Sequence, residues 1–216
     1  MYLIFAPAVI GAYLLGSIPF GLLIAKAHGM DLRSIGSGNI GATNVSRALG
    51  RKWAYVCFML DVLKGMVPML VIMFIAKPAG VVMLLLWLVV GCAAILGHIF
   101  PIYLNFKGGK GVATSFGIAL GLWPYYTICA LFAIAIWVVV VLIWRYVSLA
   151  SIVGSVSFPV VLILAIILKP GWDLFSLWPL LVAATAIPLM VIIRHRENIK
   201  RLLAGTESKI LKSKRS

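Results

Sequence analysis

The sequence predicts an all-α integral membrane protein: a single seven-span helical bundle, N-terminus outside and C-terminus cytoplasmic, with a short fourth half-helix. Three observations carry this. Hydrophobic residues make up 63% of the chain and mean hydropathy is +1.14, values that suit a bundle in lipid and not a water-soluble core. Apolar runs long enough to cross a bilayer recur from end to end. The formal charge of +14 is gathered at the ends of those runs and in a tail, without interleaved aromatics, so it is expected to set membrane orientation and not to bind nucleic acid.

In chain order, the apolar runs cover residues 2–25, 53–76, 80–104, 112–144, 147–168 and 174–193. The first lacks a basic leading segment and a small-residue cleavage site, which reads as a retained span and not a secretory signal. Cys57, Cys92 and Cys129 lie inside apolar runs with no C-x-x-C spacing, and are expected to be buried thiols. The fourth run is too long for one crossing: at about 1.5 Å per residue it would measure about 50 Å, against a hydrocarbon core of about 30 Å. Gly121 and the Trp123-Pro124 pair are the expected point of division.

Orientation gives an independent check, because Lys and Arg accumulate on the cytoplasmic side. The basic C-terminal tail fixes the inside. With residues 112–144 crossing twice, every Lys and Arg except Lys64, Lys77 and Lys169 falls on the inner face. A single crossing would instead put Lys107, Lys110 and the polar segment 37–47 outside. Seven spans follow, the fourth being a half-helix over 112–122 whose N-terminus opens onto a glycine loop. Free N–H groups and the positive helix end there suit an anion. Residues 1–216 are expected to form one membrane-embedded domain, with 207–216 a basic, frayed tail against anionic lipid headgroups.

Three polar segments, 37–47, 107–115 and 194–207, carry most of the polar chemistry. In the first, Gly38 and Gly41 allow close backbone approach, Ser37, Asn39, Thr43 and Asn44 offer neutral hydrogen bonds, and Arg47 can grip a phosphate through two N–H groups. A turn and helix cap, with Arg47 reaching lipid phosphate, is the plainer reading. The second, Lys107-Gly-Gly-Lys-Gly-Val-Ala-Thr114, resembles a phosphate loop but fails the nucleotide-binding pattern. Leu104 takes the first glycine position, and Gly111 stands where a metal-binding hydroxyl is required. Gly108, Gly109, Lys110, Gly111 and Thr114 remain a phosphate cradle or a flexible turn.

In the third segment, His195 and Asn198 are spaced to share one face of a helix leaving the last span. His195 reads as a general base, a hydrogen-bond donor or an interfacial residue, with Glu197 set to pair with Arg201. Asp61 and Lys64 lie one turn apart inside a span, where unpaired charge is costly; an ion pair is expected, with a proton or substrate path as the alternative. His98 precedes Pro101 at a helix break whose carbonyls it could bond. Ser148 reads as a helix cap or a further anion contact.

Taken together, Ser37-Gly-Asn-Ile-Gly-Ala-Thr-Asn-Val-x-Arg47, Gly97-His98-x-x-Pro101 with Phe106-Lys-Gly-Gly-Lys-Gly-Val-Ala-Thr114, Arg145-Tyr-Val-Ser148, and Arg194-His-Arg-x-Asn-Ile-x-Arg-Leu202 with Gly205-x-Glu207 resemble the motifs of the bacterial acyl-phosphate-dependent glycerol-3-phosphate acyltransferases, the PlsY family. The motifs occur in order over nearly the whole chain. The resemblance implies a single membrane-embedded acyltransferase domain in the bacterial inner membrane, with its site facing the cytoplasm. It implies transfer of a fatty acyl group from acyl phosphate to the 1-hydroxyl of glycerol 3-phosphate, giving lysophosphatidic acid and inorganic phosphate.

By the same resemblance Ser37, Arg47, His195 and Asn198 are catalytic. It also places Gly108, Gly109, Lys110, Gly111 and Ser148 in the substrate site and makes Glu207 structural; Asn39, Thr43, Asn44 and Thr114 are expected to bind substrate as hydrogen-bonding groups of the same segments. No cofactor, metal or obligate protein partner is expected; membrane lipid is. The acyl-CoA-using acyltransferases need H-x-x-x-x-D, and here Arg33, Tyr103 and Lys200 follow His28, His98 and His195 at that distance. Acyl-CoA use is therefore not expected.

An acyl phosphate is already activated, so the residues have to hold two phosphate-bearing substrates side by side and stabilise charge. Whether Ser37 positions a hydroxyl or reacts as a nucleophile stays open, as does the proton acceptor, His195 or the substrate's own phosphate. A transporter for a small anion is the rival class. The lack of internal repeats and the crowding of polar motifs on one face argue against it.

Overall fold

The computed structural model describes residues 2–210, and among them every regular element is helical. Six helical segments are long and apolar enough to cross a membrane: Tyr2–Ala27, Arg51–Ala76, Gly80–Leu104, Thr127–Trp144, Val147–Leu168 and Leu174–Arg194. A shorter apolar helix covers Val112–Gly121. The long run at 112–144 is thus divided by a turn around residues 122–126, where Gly121, Trp123 and Pro124 interrupt the pattern. Large apolar side chains such as Phe74, Ile75, Leu142, Leu168 and Phe175 point outward, as they do where lipid is the solvent. The chain forms two compact units, Met1–Pro124 and Tyr125–Ser216, each described in turn.

In the first unit, a 3-10 turn leads into α1 (Phe5–Ser17), then α2 (Phe20–Ala27), α3 (Ala42–Leu49), α4 (Arg51–Ala76), α5 (Gly80–Ile99), a 3-10 turn over Ile102–Leu104, and α6 (Val112–Gly121). The expected first span is broken at Ile18-Pro19, because proline cannot donate to the helical ladder. Close packing is set by glycine. A Cβ on Gly16 would strike the Ala94 carbonyl and one on Gly97 the Tyr13 carbonyl, so α1 and α5 meet backbone to backbone. Gly65 of α4 touches Thr114 in the same way, Gly117 of α6 touches Val62, and a Cβ on Gly121 would lie 2.7 Å from that of Met69. The short α6 is therefore interlocked with α4.

In the second unit, α7 (Thr127–Trp144) and α8 (Val147–Leu168) are joined at Arg145, whose φ of 63° allows the reversal. α9 (Leu174–Arg194) starts on Asp173, whose carboxylate accepts the Ser176 N–H at 2.9 Å. Tyr126 donates to the Leu180 carbonyl and packs edge-on against Phe158. A helix does leave the last span, but after a joint: α9 stops, His195 stands between the two at φ −98° and ψ 5°, and α10 (Arg196–Leu203) begins. The segment 206–210 is ordered by Glu207 and by the Ile210 N–H on the Arg145 carbonyl at 2.9 Å. Of the expected frayed tail, everything past Ile210 lies outside the described residues.

Candidate active site

The first polar segment spans the end of a loop over residues 28–41 and the helix α3 that the loop feeds. It is pinned by Leu32 and Val45, which pack with Ala25 and Cys57 in one buried cluster. Its shape is set by Asn44, buried at the start of α3. The Asn44 amide donates to the carbonyls of Leu32 (3.0 Å) and Ile35 (2.9 Å), while its oxygen accepts the Ser37 N–H at 3.1 Å. Asn44, expected among the substrate-binding groups, thus holds the loop. Asn39 accepts the Gly41 N–H at 3.0 Å in a local turn, and Thr43 sits half-buried in the first turn of α3.

Ser37 and Arg47 are both exposed. The Arg47 side chain lies across Gly36, which has φ +57°; a Cβ there would stand 3.1 Å from Arg47 Cδ and 2.6 Å from Asn44 Oδ1. Sequence reasoning passed over Gly36, although a glycine two places before Gly38 was the available signal. It also passed over Arg33, which donates to the Lys107 carbonyl at 2.8 Å and ties the loop before α3 to the second polar segment. Nothing local in the sequence announces a partner so far along the chain.

The second segment folds back on the end of α5. Pro101 prevents further helix there, leaving carbonyls without helical donors. Gly109 N–H donates to the His98 carbonyl and Gly108 N–H to that of Ile99, both at 3.0 Å. The loop's own backbone takes up these exposed carbonyls, because only glycine at 108 and 109 comes close enough. Gly111 turns the chain into α6 at φ +85°. The first bond of α6 runs from Ser115 N–H to Gly111 at 2.8 Å, so the N–H groups of Val112, Ala113 and Thr114 precede the ladder. Thr114 Oγ1 is buried there with no partner among the described residues. Three N–H groups, a helix N-terminus and Lys110 in one place suit an oxyanion.

The second unit gathers the remaining predicted residues around a carboxylate. Ser148 and Asn198 donate to Glu207 Oε1 at 2.7 and 2.6 Å, and Arg201 Nε to Oε2 at 2.7 Å. Burial alone would raise the Glu207 carboxyl, but the bonds from Ser148, Asn198 and Arg201 and the guanidinium charge hold it below its ordinary value. Arg201 therefore does not pair with Glu197, which turns to Lys200 at 3.4 Å. His195 is buried and its Nδ1 lies 2.7 Å from the Val191 carbonyl. A carbonyl only accepts, so Nδ1 carries a proton there. Among the described residues no three His, Cys, Asp or Glu side chains converge as metal ligands.

Membrane-length helices and a glycine-lysine loop opening onto a helix N-terminus define a membrane protein equipped for anionic groups. The family model described as glycerol-3-phosphate acyltransferase matches residues 6–205. The glycerol-3-phosphate acyltransferase of Geotalea daltonii is 46% identical over 93% of this chain and 94% of its own, and that of Aquifex aeolicus 46% identical over 92% and 95%. The crystal structure of PlsY (YgiH), an integral membrane glycerol 3-phosphate acyltransferase, in its glycerol 3-phosphate form superposes with TM-score 0.83 and 43% identity, covering 96% of each chain. Its lysophosphatidic acid form gives TM-score 0.80 and 42% identity over 95% and 94%. The chain belongs to the glycerol-3-phosphate acyltransferase family. It is a multi-span integral membrane acyltransferase.

Proposed function

We propose that this chain transfers a fatty acyl group from acyl phosphate to the 1-hydroxyl of glycerol 3-phosphate. The hydroxyl oxygen attacks the acyl carbonyl, the bond from that carbon to the phosphate oxygen breaks, and the hydroxyl proton ends on the departing phosphate. The products are lysophosphatidic acid and inorganic phosphate, and the acceptor chemistry agrees with the glycerol 3-phosphate and lysophosphatidic acid forms of the solved relative. The observation that carries the reading is the backbone cradle at Gly108 to Thr114, three N–H groups with Lys110 beside them.

Lys110 and the α6 N-terminus hold one phosphate and Arg47 grips a phosphate, as a planar guanidinium does. Ser37 is carried over from the family motif as a positioning group for the reacting oxygens, and His195 and Asn198 as groups that orient the hydroxyl or stabilise the oxyanion. A cleft of about 820 Å³ beside the α1–α2 break has apolar walls from Ile18, Leu22, Leu23 and Leu104, with Lys26, Asp31 and Arg33 as its charged lining. It suits an acyl chain whose phosphate end lies toward the basic residues. The bundle counts seven spans when α6 is included as a half-crossing, with the N-terminus outside and the C-terminus and polar motifs facing the cytoplasm of a bacterial inner membrane. One membrane-embedded domain carries the reaction, without a protein partner.

The test is direct. Purified protein in detergent, given palmitoyl phosphate and glycerol 3-phosphate, releases phosphate only when both are present and forms lysophosphatidic acid in equal amount. Phosphate release without the acceptor, or product formed from acyl-CoA instead, overturns the proposed donor and acceptor.

A further inference from the structure

Beneath the glycine loop lies a set of buried ionisable groups that the reaction above does not use. Asp61, Lys64 and His98 are 3%, 2% and 4% exposed, deep among apolar helices where such groups are kept for a reason. Lys64 Nζ is 2.7 Å from Asp61 Oδ1 and donates to the Ile18 carbonyl at 2.9 Å, at the α1–α2 break. His98 Nδ1 faces the same Asp61 oxygen at 3.8 Å. The other edge of the imidazole lies against Gly109: a Cβ there would overlap Nε2 and stand 2.9 Å from Cε1. His98 also holds Gly109 through its own carbonyl. The next residue of α4, Gly65, meets α6 at Thr114. One turn of α4 thus bears on both sides of Lys110, on the loop before it and the helix start after it.

We infer that Asp61, Lys64 and His98 are positioning residues for the glycerol 3-phosphate seat. Asp61, neutralised by Lys64, fixes the His98 ring; the ring is the floor on which Gly109 rests, and so sets the height of Lys110 and of the N–H groups opening α6. None of the three touches substrate. The inference rests on the reading of the glycine loop as a phosphate seat.

The experiment compares Lys110→Ala, His98→Leu, His98→Asn and Asp61→Asn in the full-length protein, measuring kcat, KM for each substrate and Tm in one detergent. His98→Leu and Asp61→Asn are expected to raise KM for glycerol 3-phosphate about tenfold, the scale found for groups that orient a ligand-binding residue. The kcat and the KM for acyl phosphate are expected to stay near wild type. His98→Asn, whose amide reaches the Nδ1 position, recovers part of the affinity. If Asp61→Asn fails to fold because Lys64 is left as a lone buried charge, Asp61→Asn with Lys64→Met removes both charges and is read the same way. A lowered Tm with unchanged KM means the set is structural only, and overturns the inference. If Lys110→Ala raises KM while the His98 and Asp61 variants do not, the positioning role fails alone. If Lys110→Ala leaves KM unchanged, the loop is not the phosphate seat and the reading beneath the inference fails.

Discussion

Ser148 at the start of α8 and Asn198 in the middle of α10 donate to one and the same oxygen, Glu207 Oε1. Two helices are thereby held by a residue that belongs to neither, with Arg201 on the second oxygen. A carboxylate that accepts three donors cannot be replaced by an amide without turning one acceptor into a donor. Glu207→Gln should lower stability by about 2–3 kcal/mol, on the scale of hydrogen bonds to a charged group, discounted because Arg201 is partly in water. A lowered Tm in thermal scans of the detergent-purified variant checks this.

The same carboxylate sets an acid limit. Its folded-state value lies below the ordinary 4.5, so it adds stability that is fully present above 4.5 and is lost as pH falls through the lower folded value. Wild-type Tm should therefore fall on acidification below pH 4.5 more steeply than that of Glu207→Gln, which has no proton to gain. Parallel curves for the two proteins would refute the assignment.

Gly36 is expected to be intolerant for a reason separate from stability. Alanine at φ +57° costs roughly 1–2 kcal/mol of backbone strain, and its methyl meets Asn44 Oδ1 and Arg47 Cδ. Gly36→Ala should reduce kcat/KM by about tenfold or more through displacement of Arg47. Gly29, also at positive φ but with open space around it, should lose far less activity as Gly29→Ala.

Arg47 itself should not be replaceable by lysine. A guanidinium binds phosphate with two N–H groups in a fixed plane and an ammonium does not. Arg47→Lys is expected to retain the charge yet lose most of kcat/KM, with Tm close to wild type because the side chain is exposed and lysine keeps its aliphatic stem. Steady-state kinetics beside a thermal scan separate the two effects.

Much of this was legible in the sequence because lipid imposes strong patterns. The apolar runs, the division of 112–144 at Gly121 and Trp123-Pro124, and the pairing of Asp61 with Lys64 one turn apart are all local, and local signals survive in a linear reading. The break at Ile18-Pro19 was equally local but was overridden by the unbroken hydropathy around it. The joint at His195 was hidden because Arg194 to Leu203 contains no glycine or proline to mark it. Contacts joining distant parts of the chain were out of reach: Arg33 to the Lys107 carbonyl, Asn44 across its own loop, and the convergence of Ser148, Asn198 and Arg201 on Glu207. Sequence pattern identified these residue types as polar and purposeful; whether they face ligand or each other is decided by packing.

The interlock of α6 with α4 has a mechanical consequence. Where Gly65, Gly117 and Gly121 leave no space for a methyl group between two backbones, no sliding coordinate remains either, since a helix shifted by a fraction of a turn would drive a side chain into a carbonyl. The two helices travel as one piece. The N-terminus of α6 is then held at a fixed height against α4, and the glycine loop that leads into it starts from a rigid base.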